Sequence, residues 1–444
     1  MHSVFDEINV DKTLNIPLYR QLSSALIEII STLPAASKLP TIRSLAKQLN
    51  VNTATVVSAY KFLETKGHVY SIVGSGVYVA QKNKIVEESI LENAINFADI
   101  NTDTSLFPTK SFSNASNSVL LKYAGRAFNN INKNNPLVEI FGQMYDIDAL
   151  TIQITTGIHQ AIHDIASNFI NPGDVVLVEF PGSQAITAIF LSYGAKVIDI
   201  PLDTAGFPLE KFTQLVKQYA PKFIFLMPNF QIPTNLCYNV FEREKILEIA
   251  SGAGAYIIEA DSFNDFYYNK PTETLKKIDK YDIVIYIKSF SAIIASQGLG
   301  VGFIAFPRSN FNSGAYTTPT GYIQRVFDNY LRHGEFPVHA GFMRHQYKKR
   351  CAKIIEAINT YLLSFVSFNE PDGGLGLWIT LKNDINNNIY KELLNRQIVV
   401  SPGYLFAPAG WPMPHFRVNF ANIPEARIAE GIGTIARVLA RHHS

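Results

Sequence analysis

The stretch from Leu39 to Ala80, LPTIRSLAKQLNVNTATVVSAYKFLETKGHVYSIVGSGVYVA, constrains the fold more than any other part of this chain. Thr41 stands where it can cap a helix whose apolar residues Ile42, Leu45, Ala46 and Leu49 recur at helical spacing. Asn50-Val51-Asn52 breaks that pattern. Asn52 or Thr53 can then cap a second helix carrying Val56, Ala59, Tyr60 and Leu63 on its inner face. That helix ends at Lys66-Gly67, with glycine where helices close in the left-handed conformation. Val69-Tyr70-Ser71-Ile72 and Val77-Tyr78-Val79, on either side of Gly74-Ser75-Gly76, read as a short hairpin. Upstream, Leu18, Leu22, Ala25, Leu26 and Ile29 predict a third amphipathic helix that closes a small core. Two short helices sharing one apolar seam leave the outer face of the second free to lie in a DNA major groove.

PLYRQL at Pro17 to Leu22, followed by LP-x-x-R-x-LA, V-x-x-x-TVV-x-AY-x-x-LE-x-x-G and GSG-x-x-V, resembles the winged helix-turn-helix of GntR-type bacterial regulators. The resemblance covers nearly all of residues 1–80. It implies a DNA-binding set of Arg43, Asn52, Thr53, Thr55, Ser58 and Lys61, with Gly74 and Gly76 in the wing. The chain departs from the family where arginines usually stand, at Thr53 and Ser58, and at Ile72, the usual place of a basic wing residue. Net charge gives no compensation. The whole chain carries +2, and residues 1–80 hold seven Lys/Arg against five Asp/Glu. The hydroxyls and amides that remain can still hydrogen-bond phosphates or base edges. The expectation is weak binding with a shallow salt dependence, offset by pairing of two half-sites in a homodimer.

At 444 residues the chain is long enough for two or three domains. Residues 81–103 are polar and read as a linker. Beyond 104 the pattern alternates. Apolar strand-length runs begin at Val175, Lys196, Phe223, Ala255 and Ile283, and helical stretches at Gly157, Ser183, Leu209 and Phe241 separate them. Such alternation argues for an α/β fold with a mainly parallel sheet covered on both faces. A second α/β piece follows over 321–444: a long helical segment, strands near Gly376, Ile398 and Phe416, and a closing helix from Glu425.

TTG-x-x-QAI from Thr155, NPGD-x-V-x-VE-x-PG from Asn171, P-N-F-Q-x-PT from Pro228, YIIEAD from Tyr256 and Y-I-x-x-FS from Tyr286 occur in fixed order. They resemble the aminotransferase fold (fold type I) that binds pyridoxal phosphate, here over 104–320 with a smaller subdomain over 321–444. Fused behind a GntR-type module, the whole chain resembles the MocR-like regulators. In that family the large domain usually senses a vitamin B6 form or an amino compound.

The resemblance also locates a cofactor site whose chemistry is altered. Pyridoxal phosphate needs a lysine amine and an acidic partner for its ring nitrogen. The family lysine follows the FS of Y-I-x-x-F-S, and that position is Ala292. Lys288 lies four residues back, about 13 Å along an extended strand at ~3.3 Å per residue. The acidic partner aligns with Ala260, the ring-hydroxyl tyrosine with Ser262, the stacking aromatic with Ser183 and the phosphate arginine with Gly300. Ser289, Ser291 and the backbone amides after Gly157 retain the capacity to hold a phosphate. Arg417 sits where the family grips a substrate carboxylate, and Asn229 falls within the P-N-F-Q string. The expected pocket therefore comprises Arg417, Asn229, Ser289, Ser291, Ala292, Ala260, Ser262, Ser183 and Gly157, with no covalently held pyridoxal phosphate.

The two cysteines, Cys237 and Cys351, give neither a disulfide framework nor zinc spacing, and no metal site is expected. No leader pattern or membrane-length apolar run is present, so the expected setting is the cytoplasm, without membrane contact. The expected function is a DNA-binding regulator of the GntR/MocR type whose inactive aminotransferase-like domain senses a small carboxylate or amino compound. A working aminotransferase is the alternative, as is a scaffold in which both modules are vestigial. Ala292 and Ala260 argue against the working enzyme.

Overall fold

In the computed structural model, the three apolar stripes of the N-terminal sequence become helices around one core. The structure describes residues 5, 8, 17–32, 37–65, 69–72, 76–79, 93–131, 135–202, 206–308, 316–383, 388–407 and 414–442. These fall into two units, the first within residues 1–90 and the second from 91 onward. In the first, α1 (Leu18–Thr32), α2 (Ile42–Gln48) and α3 (Thr53–Thr65) precede an antiparallel hairpin of β1 (Val69–Ile72) and β2 (Gly76–Val79). Thr41 caps α2 by accepting from the Ser44 N–H at 3.2 Å, and Asn52 caps α3 by accepting from the Ala54 N–H at 2.9 Å. Leu22, Leu26, Leu45, Val56, Ala59, Tyr60 and Leu63 are buried together. Each large aliphatic side chain contributes about 1.5–3 kcal/mol by leaving water. The helix end expected at Lys66-Gly67 and the wing residue Gly74 lie outside the described residues.

The second unit opens with β3 (Ile95–Asn96), α4 (Thr109–Tyr123) and α5 (Pro136–Tyr145). Alternating elements follow: β4 (Ile152–Thr155), α6 (Ile158–Phe169), β5 (Val175–Phe180), α7 (Gln184–Ser192), β6 (Lys196–Pro201) and α8 (Leu209–Tyr219). Then come β7 (Phe223–Leu226), α9 (Val240–Gly252), β8 (Tyr256–Asp261), α10 (Leu275–Ile278), β9 (Val284–Ser289) and β10 (Gly302–Ala305). The strands form one seven-stranded sheet in the order β4-β10-β9-β8-β7-β5-β6. Every pairing is parallel except those of β10, which runs against both of its neighbours. Strand β7 is buried along its whole length, which is why FIFL reads as an unbroken apolar run, whereas β9 is equally buried but closes on Lys288 and Ser289. The segment between Phe107 and Thr155 holds two helices, α4 and α5. Asn135 caps α5 and Pro136 occupies its first turn.

The remaining elements are α11 (Gly321–Arg332), α12 (Glu335–Tyr361), β11 (Val366–Phe368), β12 (Gly376–Leu381), α13 (Asn388–Asn395), β13 (Ile398–Val399), β14 (Ser401–Pro402), β15 (His415–Asn419) and α14 (Glu425–His442). Gly334, at φ +71°, separates α11 from α12 within the stretch that reads as one long helical segment. The antiparallel sheet β11-β12-β15-β14 buries Leu377, Ile379, Phe416 and Val418 in the same core as residues of α12 and α14. Alternation then places Trp378, Thr380, His415 and Arg417 on its other face. Strand β3 pairs in parallel with β13, so residues 93–103, expected as the tail of a linker, are built into this fold. Among the described residues no helix is long and apolar enough to cross a membrane.

Candidate functional site

The outer face of α3 carries Thr53, Ala54, Val57, Ser58 and Lys61, all exposed, with Thr55 half-buried beside them. Asn52 is exposed at the N-terminal end of α3, and Arg43 is exposed in the first turn of α2, at the end away from the turn between the two helices. The structure therefore brings the expected helix residues onto the side of the helix pair away from the core. Gly76 begins β2 at φ +133°, a conformation glycine enters freely. Two contributors escaped the sequence reading. Val57, 44% exposed, offers an apolar contact of the kind that meets a thymine methyl. Lys38 bridges to Tyr78 of β2 and holds its amine 5.8 Å from that ring's centre, which puts a cation on the wing.

In the second unit, the ends of β5, β7, β8 and β9 gather most of the remaining expected residues along one edge of the sheet. This is where doubly wound folds bind ligands. Thr155 pairs with Gly302, and Gly302 with Ser289, so the three lie in one row across the sheet. A Cβ on Gly157, at φ +133°, would stand 3.8 Å from the Ser289 hydroxyl. Ser291 donates its N–H to that same hydroxyl at 3.4 Å, so Gly157, Ser289 and Ser291 share a corner. Ala292 follows, buried, in the turn after β9. Ala260 of β8 pairs with Ile287 of β9 and is also buried. Ser262 lies just past the end of β8. Ser183 caps α7 by accepting from the Ile186 N–H at 3.4 Å. Asn229 accepts from Arg243 at 2.7 Å through its Oδ1, while its buried Nδ2 has no hydrogen-bond partner among the described residues. The same holds for the Thr155 hydroxyl.

Lys288 has a different surrounding. It pairs with Asp261 across β8 and β9, one residue out of phase with Ala260, and so faces the reverse side of the sheet. Its amine donates to Asp261 Oδ1 at 3.1 Å and lies 2.7 Å from Asp265 Oδ2, and the residue is 1% exposed. Tyr286 donates its hydroxyl to Asp261 at 2.6 Å. Burial alone pulls the amine down, but the charges of Asp261 and Asp265 outweigh it and hold the amine above the ordinary lysine value. Lys288 is therefore charged and fixed.

Arg417 stands on the other sheet, opposite Trp378 and Ser401. It is 3% exposed, and its Nε and Nη1 have no hydrogen-bond partner among the described residues. A Cβ on Gly376 would come 2.6 Å from its Nη2, so glycine there leaves the guanidinium its space. Burial pushes its pKa down to about 10, still far above neutral, and the group remains a buried cation.

Residues 73–435 match the family described as aminotransferase class I and II. The chain belongs to that family. Residues 18–79 match the bacterial regulatory proteins of the gntR family, so a GntR-type regulator is fused here to an aminotransferase-like domain. The HTH-type transcriptional regulator NorG of Staphylococcus aureus is 24% identical over 432 residues, covering 86% of this chain and 95% of its own. Aromatic-amino-acid aminotransferase 1 of Thermococcus litoralis is 29% identical over 318 residues, 68% of this chain and 76% of its own. Among solved structures, the kynurenine aminotransferase of Pyrococcus horikoshii superposes with a TM-score of 0.74 at 25% identity, covering 82% of this chain and 96% of that one.

Within the aminotransferase-like domain, Gly157, Ser289 and Ser291 share one corner of the sheet edge, and the ion network on the far side of the sheet was not part of the expected set. Asp265 carries no strand pattern, and only the turn after β8 returns it to Lys288. Arg417 is the one expected pocket residue that belongs to the smaller sheet.

Proposed function

We propose that this chain regulates transcription as a cytoplasmic homodimer, and that its aminotransferase-like domain recognises a small carboxylate without Schiff-base chemistry. The observation that carries this reading is Arg417. A buried guanidinium with two unpartnered nitrogens is costly, because desolvating a charge without pairing it costs several kcal/mol. A carboxylate matches its planar fork and would cancel that cost. The unpartnered Nδ2 of Asn229 and hydroxyl of Thr155 add neutral donors on the larger sheet.

Pyridoxal phosphate does not fit the donor set. The two positions its chemistry requires carry the methyl groups of Ala292 and Ala260, and the Lys288 amine is held by two carboxylates on the reverse face. Serines at Ser183 and Ser262 remove the stacking aromatic and the ring-hydroxyl partner. Ser289, Ser291 and the N-terminus of α6 support anion binding alone. On the DNA side, Arg43, Asn52, Thr53, Thr55, Ser58 and Lys61 serve as the contact set, with the wing at Gly76.

Calorimetric titration of the purified protein with amino and keto acids tests the carboxylate reading. Binding is expected in the wild type, with at least ten-fold loss on Arg417→Ala. No binding in the wild type, or undiminished binding in the variant, would sink it. A yellow, borohydride-reducible band on adding pyridoxal phosphate would overturn the absence of Schiff-base chemistry. Gel shifts with the DNA upstream of its own gene test the regulator reading.

A further inference from the structure

A cleft of about 520 Å³ opens in the second unit, bordering the carboxylate-site residues: Trp378 of its wall is the cross-strand neighbour of Arg417, and Cys237 lies 3.7 Å from Asn229 Oδ1. None of Gly157, Ser183, Asn229, Ala260, Ser262, Ser289, Ser291, Ala292 or Arg417 lines it. Its volume falls in the range that encloses most of a small ligand's surface. Three features of its wall point to one ligand chemistry. Trp378 lies stacked on His415, ring centres 5.1 Å apart and planes 12° from parallel, and both line the cleft. Phe406 meets the indole edge-on at 5.7 Å, which fixes its plane from a second direction. Phe180 and Cys237 extend the half-buried, largely apolar surface.

The charge on this wall has one sign. Glu370 and Asp372 stand exposed on its rim, and among the described residues neither forms a salt bridge. Among the described residues no lysine or arginine lines the cleft. Burial pulls the His415 imidazole down, so it stays neutral near pH 7, and its Nδ1 has no hydrogen-bond partner among the described residues. Ordinary surface carboxylates are solvated and need no explanation. Two of them at the mouth of an aromatic-walled cleft that lacks any cation form a different arrangement. An ammonium entering there meets π-faces and carboxylates together, each favouring the same charge. A carboxylate ligand meets repulsion from the rim and finds no cation to hold it.

We infer that this cleft binds a small organic cation with a flat apolar body, such as an aromatic or quaternary amine. Arg417 does not line the cleft, but Trp378 is its cross-strand neighbour, so Arg417→Ala and the exposed rim variants Glu370→Gln with Asp372→Asn, rather than Trp378→Leu, tell the two readings apart.

The test uses the full-length protein and benzyltrimethylammonium as probe, followed by calorimetry, with neutral benzyl alcohol and anionic benzoate as controls. The expected result is saturable binding of the ammonium at least ten-fold tighter than either control. Glu370→Gln combined with Asp372→Asn should weaken it five-fold or more while leaving the melting temperature unchanged, because both side chains are exposed. Trp378→Leu should abolish it. The inference is overturned if the ammonium fails to bind, if benzyl alcohol binds equally well, or if the charge-neutral double variant binds the ammonium as the wild type does.

Discussion

Lys288 holds two carboxylates on the reverse face of the large sheet. Among the described residues its amine is the one cation in salt-bridge reach of Asp261 and Asp265, and removing it leaves Asp261 only the hydrogen bonds from Tyr286 and the Asn264 N–H. Lys288→Ala should destabilise the folded protein by about 3–5 kcal/mol in urea unfolding, the range for breaking a buried pair from one side. Adding Asp261→Asn to that variant should recover part of the loss; no recovery would show that the cost is one of packing. A second residue-scale effect concerns pH. Burial pushes Glu179 and Glu259 up to about 7, against hydrogen bonds from Tyr238 and the Met227 N–H in one case and from the Lys276 and Leu275 N–H groups in the other. Each carboxyl holds its proton more tightly folded than unfolded. Stability is therefore fully present below about 4.5, falls as pH rises toward 7, and levels off above that. Glu179→Gln should flatten roughly half of this decline, by about 3 kcal/mol at pH 8, as read from unfolding curves at several pH values.

At the scale of elements, α3 combines a well-specified inner face with an underpowered outer one. Val56, Ala59, Tyr60 and Leu63 fix its packing, while Ser58 stands exposed where a cation would reach phosphate. Ser58→Arg should tighten binding to the upstream DNA and steepen the log–log salt slope by about 0.9 per protomer. An unchanged slope would place Ser58 away from the backbone of the duplex. Elements of this kind were legible because burial and periodicity coincide in them. Helix α8 starts at Leu209 and β12 at Gly376, where the change of pattern in the sequence puts them. Strands β4 and β10 were not legible: IQIT and GFIA are four residues long, and one carries a glutamine while the other starts with glycine. Their pairing is set by partners more than a hundred residues away. The same limit explains the site. Ala292 and Arg417 could be located from motifs, but the Lys288 network could not, because Asp265 reaches it only through a tertiary turn.

For the whole molecule, charge and assembly decide how strongly it can act. Few cations stand among the described residues at the reading face: Arg43 and Lys61 on the helices and Lys38 beside the wing. Two copies supply at most six phosphate contacts from these, so the salt slope of a dimer on its operator should be no steeper than about −6. A steeper value would reveal a basic surface outside this set. The fold also has a seam that spans most of the chain. Ile95 donates its N–H to Gln397, Phe97 accepts from the Asn419 N–H, and Phe97 presses on α14 where only Gly431 leaves room, a Cβ there coming 2.5 Å from the ring. Order of synthesis then matters. A nascent chain has made residues 93–99 some three hundred residues before their partners leave the ribosome, so the effector-side core is closed last. A nonsense mutation ahead of β13 would strip this early segment of every neighbour named here.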